Sequence, residues 1–297
     1  MDTLHSHLEN TRNPEEKTPV NSVKKNKRTI SEIHDILTNR GVKLFVVLGS
    51  FFIANAIIAE FMGVKIFSFE QTAGIKPVHW RIFGGDFNLD LSAGVLLWPV
   101  VFIMTDIINE YFGPRGVRFL SYLGAVLIAY AYFMYYGSIQ LVPAGWWPGS
   151  QATKGTADMN SAYNAIFGQG MSIIIGSLAA FVLGQVIDVA IFHRIKKITG
   201  EKYLWLRSTG STLFSQLVDT YVVTSLAFYF IPIMFPSTGQ TPWTVQQLLT
   251  VSTGGYIYKF IVAIAMTPII YLVHGIIESY LGKDLAKRMR NLAAGDS

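Results

Sequence analysis

The stretch LLWPVVFIMTDIINEYFG, residues 96–113, decides what kind of protein this is. Eighteen residues at 1.5 Å each make about 27 Å of helix, close to the hydrocarbon thickness of a bilayer. Its only strongly polar side chains are Asp106, Asn109 and Glu110. An ionisable group facing lipid costs roughly 2.5–3.5 kcal/mol even on lenient insertion scales, so acids survive in such a span by facing other helices or a wet cavity. Asp106 is three residues from Asn109 and four from Glu110, which puts all three on one helix face. The stretch reads as a membrane span with a polar inner side.

Working outward, five more stretches have the same character. Apolar runs near 43–62, 92–112, 117–137, 169–192, 211–233 and 251–274 each approach the roughly 20 residues that a crossing needs. The composition agrees: 51% of the 297 residues are hydrophobic and only 14% are charged, against about a quarter in soluble domains. The expected fold is all-α, a polytopic membrane protein with a bundle of about six transmembrane helices. Residues 1–40, with Pro14, Pro19 and the run Lys24, Lys25, Lys27, Arg28, read as a disordered basic tail. Residues 41–280 read as a six-helix transmembrane domain and 281–297 as a second basic tail. Two long connections, 63–91 and 138–168, separate the spans. In the first, runs at 79–83 and 87–91 about Gly84-Gly85 suggest a small hairpin, and in the second Trp146, Trp147 and Pro148 suggest interfacial anchoring.

The basic residues set the topology. Nineteen of the 24 Lys and Arg fall on one side of a six-span arrangement, four (Lys65, Lys76, Arg81, Lys154) fall on the other, and Lys259 lies inside a span. By the positive-inside rule both termini are expected in the cytoplasm, and a miscount by one span would scatter the charges. The same asymmetry accounts for the net charge of +5 without a nucleic-acid partner; anionic lipid headgroups are the expected neighbours.

Further polar groups interrupt the other spans. Asp188 lies in the fourth, Asp219 in the fifth and Lys259 in the sixth; Gln185 precedes Asp188 by three residues, as Gln216 precedes Asp219. Ser172, Gly176, Ala180 and Gly184 form a small-residue stripe that lets a neighbouring helix approach closely. Counting rise per residue puts Asp219 and Lys259 within about 6 Å of one another in height, so an ion pair is open to them, as is a role in binding. Glu110, beside Gly113-Pro114, reads equally as an interfacial acid. His193 reads as a loop residue of the basic side. Together the carboxylates and amides offer acceptors to N–H groups and donors to a carbonyl, a set that suits a guanine-like edge with aromatic rings stacked against it.

Four passages, LLWPVVFIMTDIINEYFG (96–113), LGQVIDVAIFHR (183–194), LWLRSTGSTLFSQLVDT (204–220) and GYIYKFIVAIAMTP (255–268), closely resemble the queuosine precursor transporter family, the YhhQ-like vitamin-uptake group. The resemblance covers about residues 40–280. It implies import of 7-deazaguanine precursors of queuosine, such as the cyano and aminomethyl forms, across the bacterial inner membrane. It also implies a six-helix fold distantly similar to the substrate-binding subunits of energy-coupling-factor transporters. Carried over residue by residue, it places Asp106, Gln185, Asp188, Asp219 and Lys259 at the family's motif positions. With Asn109, Glu110 and Gln216 from the helix-face reading, these make the candidate binding set.

Other classes fit less well. Cysteine is absent, which removes thiolate nucleophiles and cysteine metal sites. There is no GxxxxGK[ST] loop, HExxH or GxSxG, so neither nucleotide hydrolysis nor a familiar hydrolase is read from the chain, and no cofactor is implied. An intramembrane hydrolase would use two aspartates as a dyad, whereas these aspartates stand beside Gln and Asn, a setting for ligand hydrogen bonds. An ion channel would show a pore loop. Whether the chain works alone, as a homo-oligomer or with an energising partner stays open.

Overall fold

The structure, a computed structural model, describes residues 38–76, 80–168, 171–200, 202–235 and 241–295. Most of the basic tail at 1–40, His79 of the expected hairpin and the Ser172 side chain lie outside the described residues. Five helices are long and apolar enough to cross a membrane. They are α1 (Arg40–Met62), α3 (Trp98–Ile139), α5 (Met171–Thr199), α6 (Leu204–Ser225, continued by a π-helical turn Leu226–Phe230 and the short α7, Ile231–Met234) and α8 (Val245–Leu281). The short α2 (Phe69–Thr72) and α4 (Met159–Phe167) lie in the two long connections, and α9 (Lys283–Gly295) closes the chain.

Five long helices make six crossings because α3 folds back on itself. Gly113 has φ 71° and ψ −176°, a conformation essentially reserved for glycine, and Pro114 follows it. Thr105 and Ser121 both donate hydrogen bonds to Oε1 of Gln185, at 3.4 and 3.3 Å. Sixteen residues of straight helix would hold them about 24 Å apart. Trp98 and the site of Gly124 likewise both meet Phe181. The two legs of α3 are therefore antiparallel, with the reversal at Gly113, and the expectation of about six membrane helices holds.

Glycine is needed at that turn for space as well as conformation. A Cβ on Gly113 would stand 3.2 Å from the carbonyl oxygen of Ala293 in α9. We expect Gly113→Ala to cost about 1–3 kcal/mol. Gly137→Ala, in an open helical position, should be neutral. Melting of the two purified variants in detergent checks the difference.

The small-residue stripe does what its spacing suggests. Cβ atoms on Gly176 and Gly184 would sit 3.1 Å from Ala227 and 3.5 Å from Asp219, so the backbones of α5 and α6 approach closely along it. Helix boundaries run past the sequence estimates: α5 continues to Thr199 and α6 starts at Leu204. His193 is consequently a buried helical residue of α5 rather than a loop residue. The C-terminal basic segment is a helix whose Ala286 and Ala293 are buried.

The first long connection carries two small antiparallel pairs. Strand β1 (Ile66–Ser68) pairs with β4 (Asp90–Ser92), and β2 (Trp80–Ile82) pairs with β3 (Gly85–Phe87). The expected hairpin forms, but its turn is Phe83-Gly84, both at positive φ, one residue earlier than the Gly84-Gly85 reading. Run 87–91 is split between two sheets: Phe87 pairs within the hairpin, while Asp90 and Leu91 belong to the mate of β1. Thr250 Oγ1 donates to the Ile82 carbonyl and Gln246 Nε2 to that of Phe83, pinning the hairpin to the first turns of α8. In the second connection Trp146 is exposed, and Trp147 packs edge-on against Tyr163 of α4. Asp158 caps α4; the Ser161 hydroxyl and Asn160 N–H hold its carboxyl below the usual range.

Candidate functional site

A narrow cleft opens between the first leg of α3, α6 and α8. Its lining includes the rings of Trp98 and Phe102 from α3 and of Tyr258 from α8. The polar lining comes from Asp106, Thr209, Thr212, Gln216 and Lys259. Three of the eight candidate residues, Asp106, Gln216 and Lys259, thus reach the cavity itself. A mostly apolar lining with a few convergent polar groups is the usual character of a small-molecule site.

The polar lining is incompletely paired. Ser208 donates to one oxygen of Asp106, while the other, Oδ1, is buried with no hydrogen-bond partner. Gln216 Oε1 is buried and unpaired in the same way. A buried acceptor left without a donor costs about 1–3 kcal/mol, so two of them on one cavity call for a ligand that brings N–H groups. Lys259 is held by Asp219, its Nζ 2.7 Å from Oδ2, and both side chains keep about a fifth of their surface exposed. The ion pair left open by the sequence therefore forms, at the cavity wall.

The remaining candidates stand behind that wall. Gln185 ties the two legs of α3 to α5 through Thr105 and Ser121. Asp188 accepts from Ser215 at 3.3 Å and faces the hydroxyls of Ser211 and Thr212. Asn109 Oδ1 lies 3.3 Å from His193 Nε2. Glu110, one helical turn or about 6 Å beyond Asp106, has both oxygens occupied. Arg207 holds them through Nη2 at 2.8 Å and Nε at 3.1 Å, and Lys196 Nζ lies 3.2 Å from Oε2. Arg207 also donates to the carbonyls of Gly200 and Lys202. Beside this cluster Tyr111 bonds His274 at 2.9 Å, and Glu278 joins His274 to Arg290 of α9. The Gly113 end of the bundle is closed by these contacts.

Sequence reasoning missed several of these partners. Lys196 and Arg207, two of the nineteen basic residues that the topology assigns to one side, are buried on Glu110. A signal existed: a carboxylate that deep needs a cation, and these two stand at the facing ends of α5 and α6. Glu60, inside the first predicted span, was not singled out. Trp98, Phe102 and Tyr258 gave no signal, since aromatic residues are common in every span.

The family model described as "Putative vitamin uptake transporter" matches residues 92–273. A relative in Bacillus subtilis (strain 168), named "Probable queuosine precursor transporter", is 31% identical over 187 residues, 62% of this chain and 72% of its own. The "Queuosine precursor transporter" of Escherichia coli (strain K12) is 26% identical over 200 residues, 66% of this chain and 76% of its own. A namesake in Haemophilus influenzae is 27% identical over 147 residues, 48% of this chain and 54% of its own. No solved structure matches, so the likeness to energy-coupling-factor subunits rests on family resemblance alone.

Proposed function

The chain belongs to the queuosine precursor transporter family of multi-pass membrane proteins, and from that premise we propose that it imports 7-deazaguanines, such as the 7-cyano and 7-aminomethyl forms, across the bacterial inner membrane for salvage into tRNA queuosine. The observation that carries the reading is the pair of unpartnered acceptors, Asp106 Oδ1 and Gln216 Oε1, on a cavity walled by aromatic rings. A guanine-type edge presents adjacent N–H donors beside a carbonyl oxygen. Asp106 receives the donors, Lys259 or the Gln216 amide meets the carbonyl, and Trp98, Phe102 and Tyr258 cover the ring faces. Asp219 orients Lys259, while Asn109, Gln185 and Asp188 hold the wall behind and Glu110 ties the bundle end. The distribution of basic residues supports a cytoplasmic side for both termini, with the hairpin end outward.

Cells unable to make deazaguanines provide the test. With trace precursor supplied, the chain should restore queuosine in tRNA. Asp219→Asn or Lys259→Ala should abolish the restoration at normal membrane levels, because the Lys259 ammonium then loses its position or its existence. Absence of rescue by the wild-type chain would sink the substrate assignment. Rescue only alongside a co-expressed ATPase module would make the chain a binding subunit instead.

A further inference from the structure

Glu60, near the hairpin end of α1, is an acid in a membrane span that the proposed substrate site leaves unused. Its Oε2 accepts a short hydrogen bond from Ser177 of α5, at 2.6 Å, and a longer one from Tyr132 of the second leg of α3, at 3.4 Å. Phe61 packs beside it against Tyr132 and Tyr135. Among the described residues no Lys, Arg or His pairs with it. The charged group that acts on it from α6 is Asp219, an acid like itself. Asp219 in turn is the partner of Lys259, which lines the cavity.

We propose that Glu60 is the proton-binding site that couples substrate import to an inward proton movement. The inference rests on the transport reading above. A carboxylate held only by hydroxyl donors in hydrocarbon is tolerable when a cation neutralises it, and a proton is the one that fits. Both hydroxyls donate to the same oxygen, Oε2, which leaves Oε1 to carry the proton. With its proton, Glu60 leaves Lys259 to Asp219 and the cavity wall is set as described. Without it, the Glu60 charge repels Asp219, the carboxylate that holds Lys259, and the group that meets the substrate shifts. Proton occupancy and the cavity are thereby linked through Asp219 and Lys259, which is what coupling between two sites requires.

Reconstituted vesicles separate this inference from the transport reading. With labelled 7-cyano-7-deazaguanine, exchange against unlabelled internal substrate needs no net proton movement, whereas accumulation does. Wild type is expected to exchange, and to accumulate substrate when the outside is acidic. Glu60→Gln should exchange within about twofold of wild type yet lose accumulation at least tenfold. Ser177→Ala, which keeps the carboxylate, should exchange normally with a displaced pH profile of uptake. No exchange by wild type would fail the substrate assignment and not this site. Accumulation by Glu60→Gln equal to wild type, dependence on sodium rather than on the pH gradient, or an unmoved profile in Ser177→Ala would each overturn the proton site.

Discussion

Replacing Glu110 with alanine is expected to lower stability by about 3–5 kcal/mol, more than removal of either of its partners. Glu110 is one negative charge between two buried positive ones, Arg207 at 2.8 Å and Lys196 at 3.2 Å. Taking the carboxylate away leaves two cations facing each other with almost no access to water. Taking Arg207 away leaves a balanced Glu110–Lys196 pair, and the loss is then mainly the donor to the Gly200 and Lys202 carbonyls. The order of effects follows from this charge count: Glu110→Ala should melt well below Arg207→Met in detergent, and should reach the membrane at lower levels. A Glu110→Ala protein that melts like wild type while losing substrate affinity would instead put Glu110 in contact with the ligand.

The same cluster shows how far the sequence could be read. Apolar runs gave six crossings, and the Gly113-Pro114 break between two of them is visible as a pair of residues that end a helix. The depth of Glu110, Asp106 and Asp219 also follows from counting rise along each span, since lipid forbids lone charges wherever they stand. What sequence does not supply is the azimuth of one helix against the next. Height alone allowed Asp219 to meet Lys259; only the packed bundle brings them to 2.7 Å. For the same reason Asp106 and Glu110, on one face and one turn apart, have separate fates, one against the cavity and one in an ion cluster. Flanking charge misled at Lys196 and Arg207, because a basic residue at a helix end can lie outside or fold back onto a buried acid with equal ease. The hairpin turn moved by one residue because Phe83 accepts positive φ, which its side chain gives no reason to expect.

Asp106→Asn is expected to cut uptake at low substrate concentration about 10- to 150-fold, while leaving the protein as stable as wild type or more so. The two halves of that expectation have one cause. Asp106 is buried, receives a single hydrogen bond from Ser208, and among the described residues pairs with no base. Asp188 lies near enough to add repulsion. A carboxyl buried under those terms beside a second acid costs the fold, so an amide of the same shape relieves it. The substrate loses in the same exchange: the asparagine amide keeps one acceptor for Ser208 but turns a donor where Oδ1 stood, against the ring's own N–H. A hydrogen bond to a charged group is worth about 1.5–3 kcal/mol, which at 1.4 kcal/mol per tenfold gives the stated range. Ring chemistry supplies the control. Wild type should prefer a ring with a 2-amino group over its 2-unsubstituted counterpart, and Asp106→Asn should lose most of that preference. Uptake unchanged by the substitution, or reduced in step with a lower melting temperature, would remove Asp106 from the binding edge.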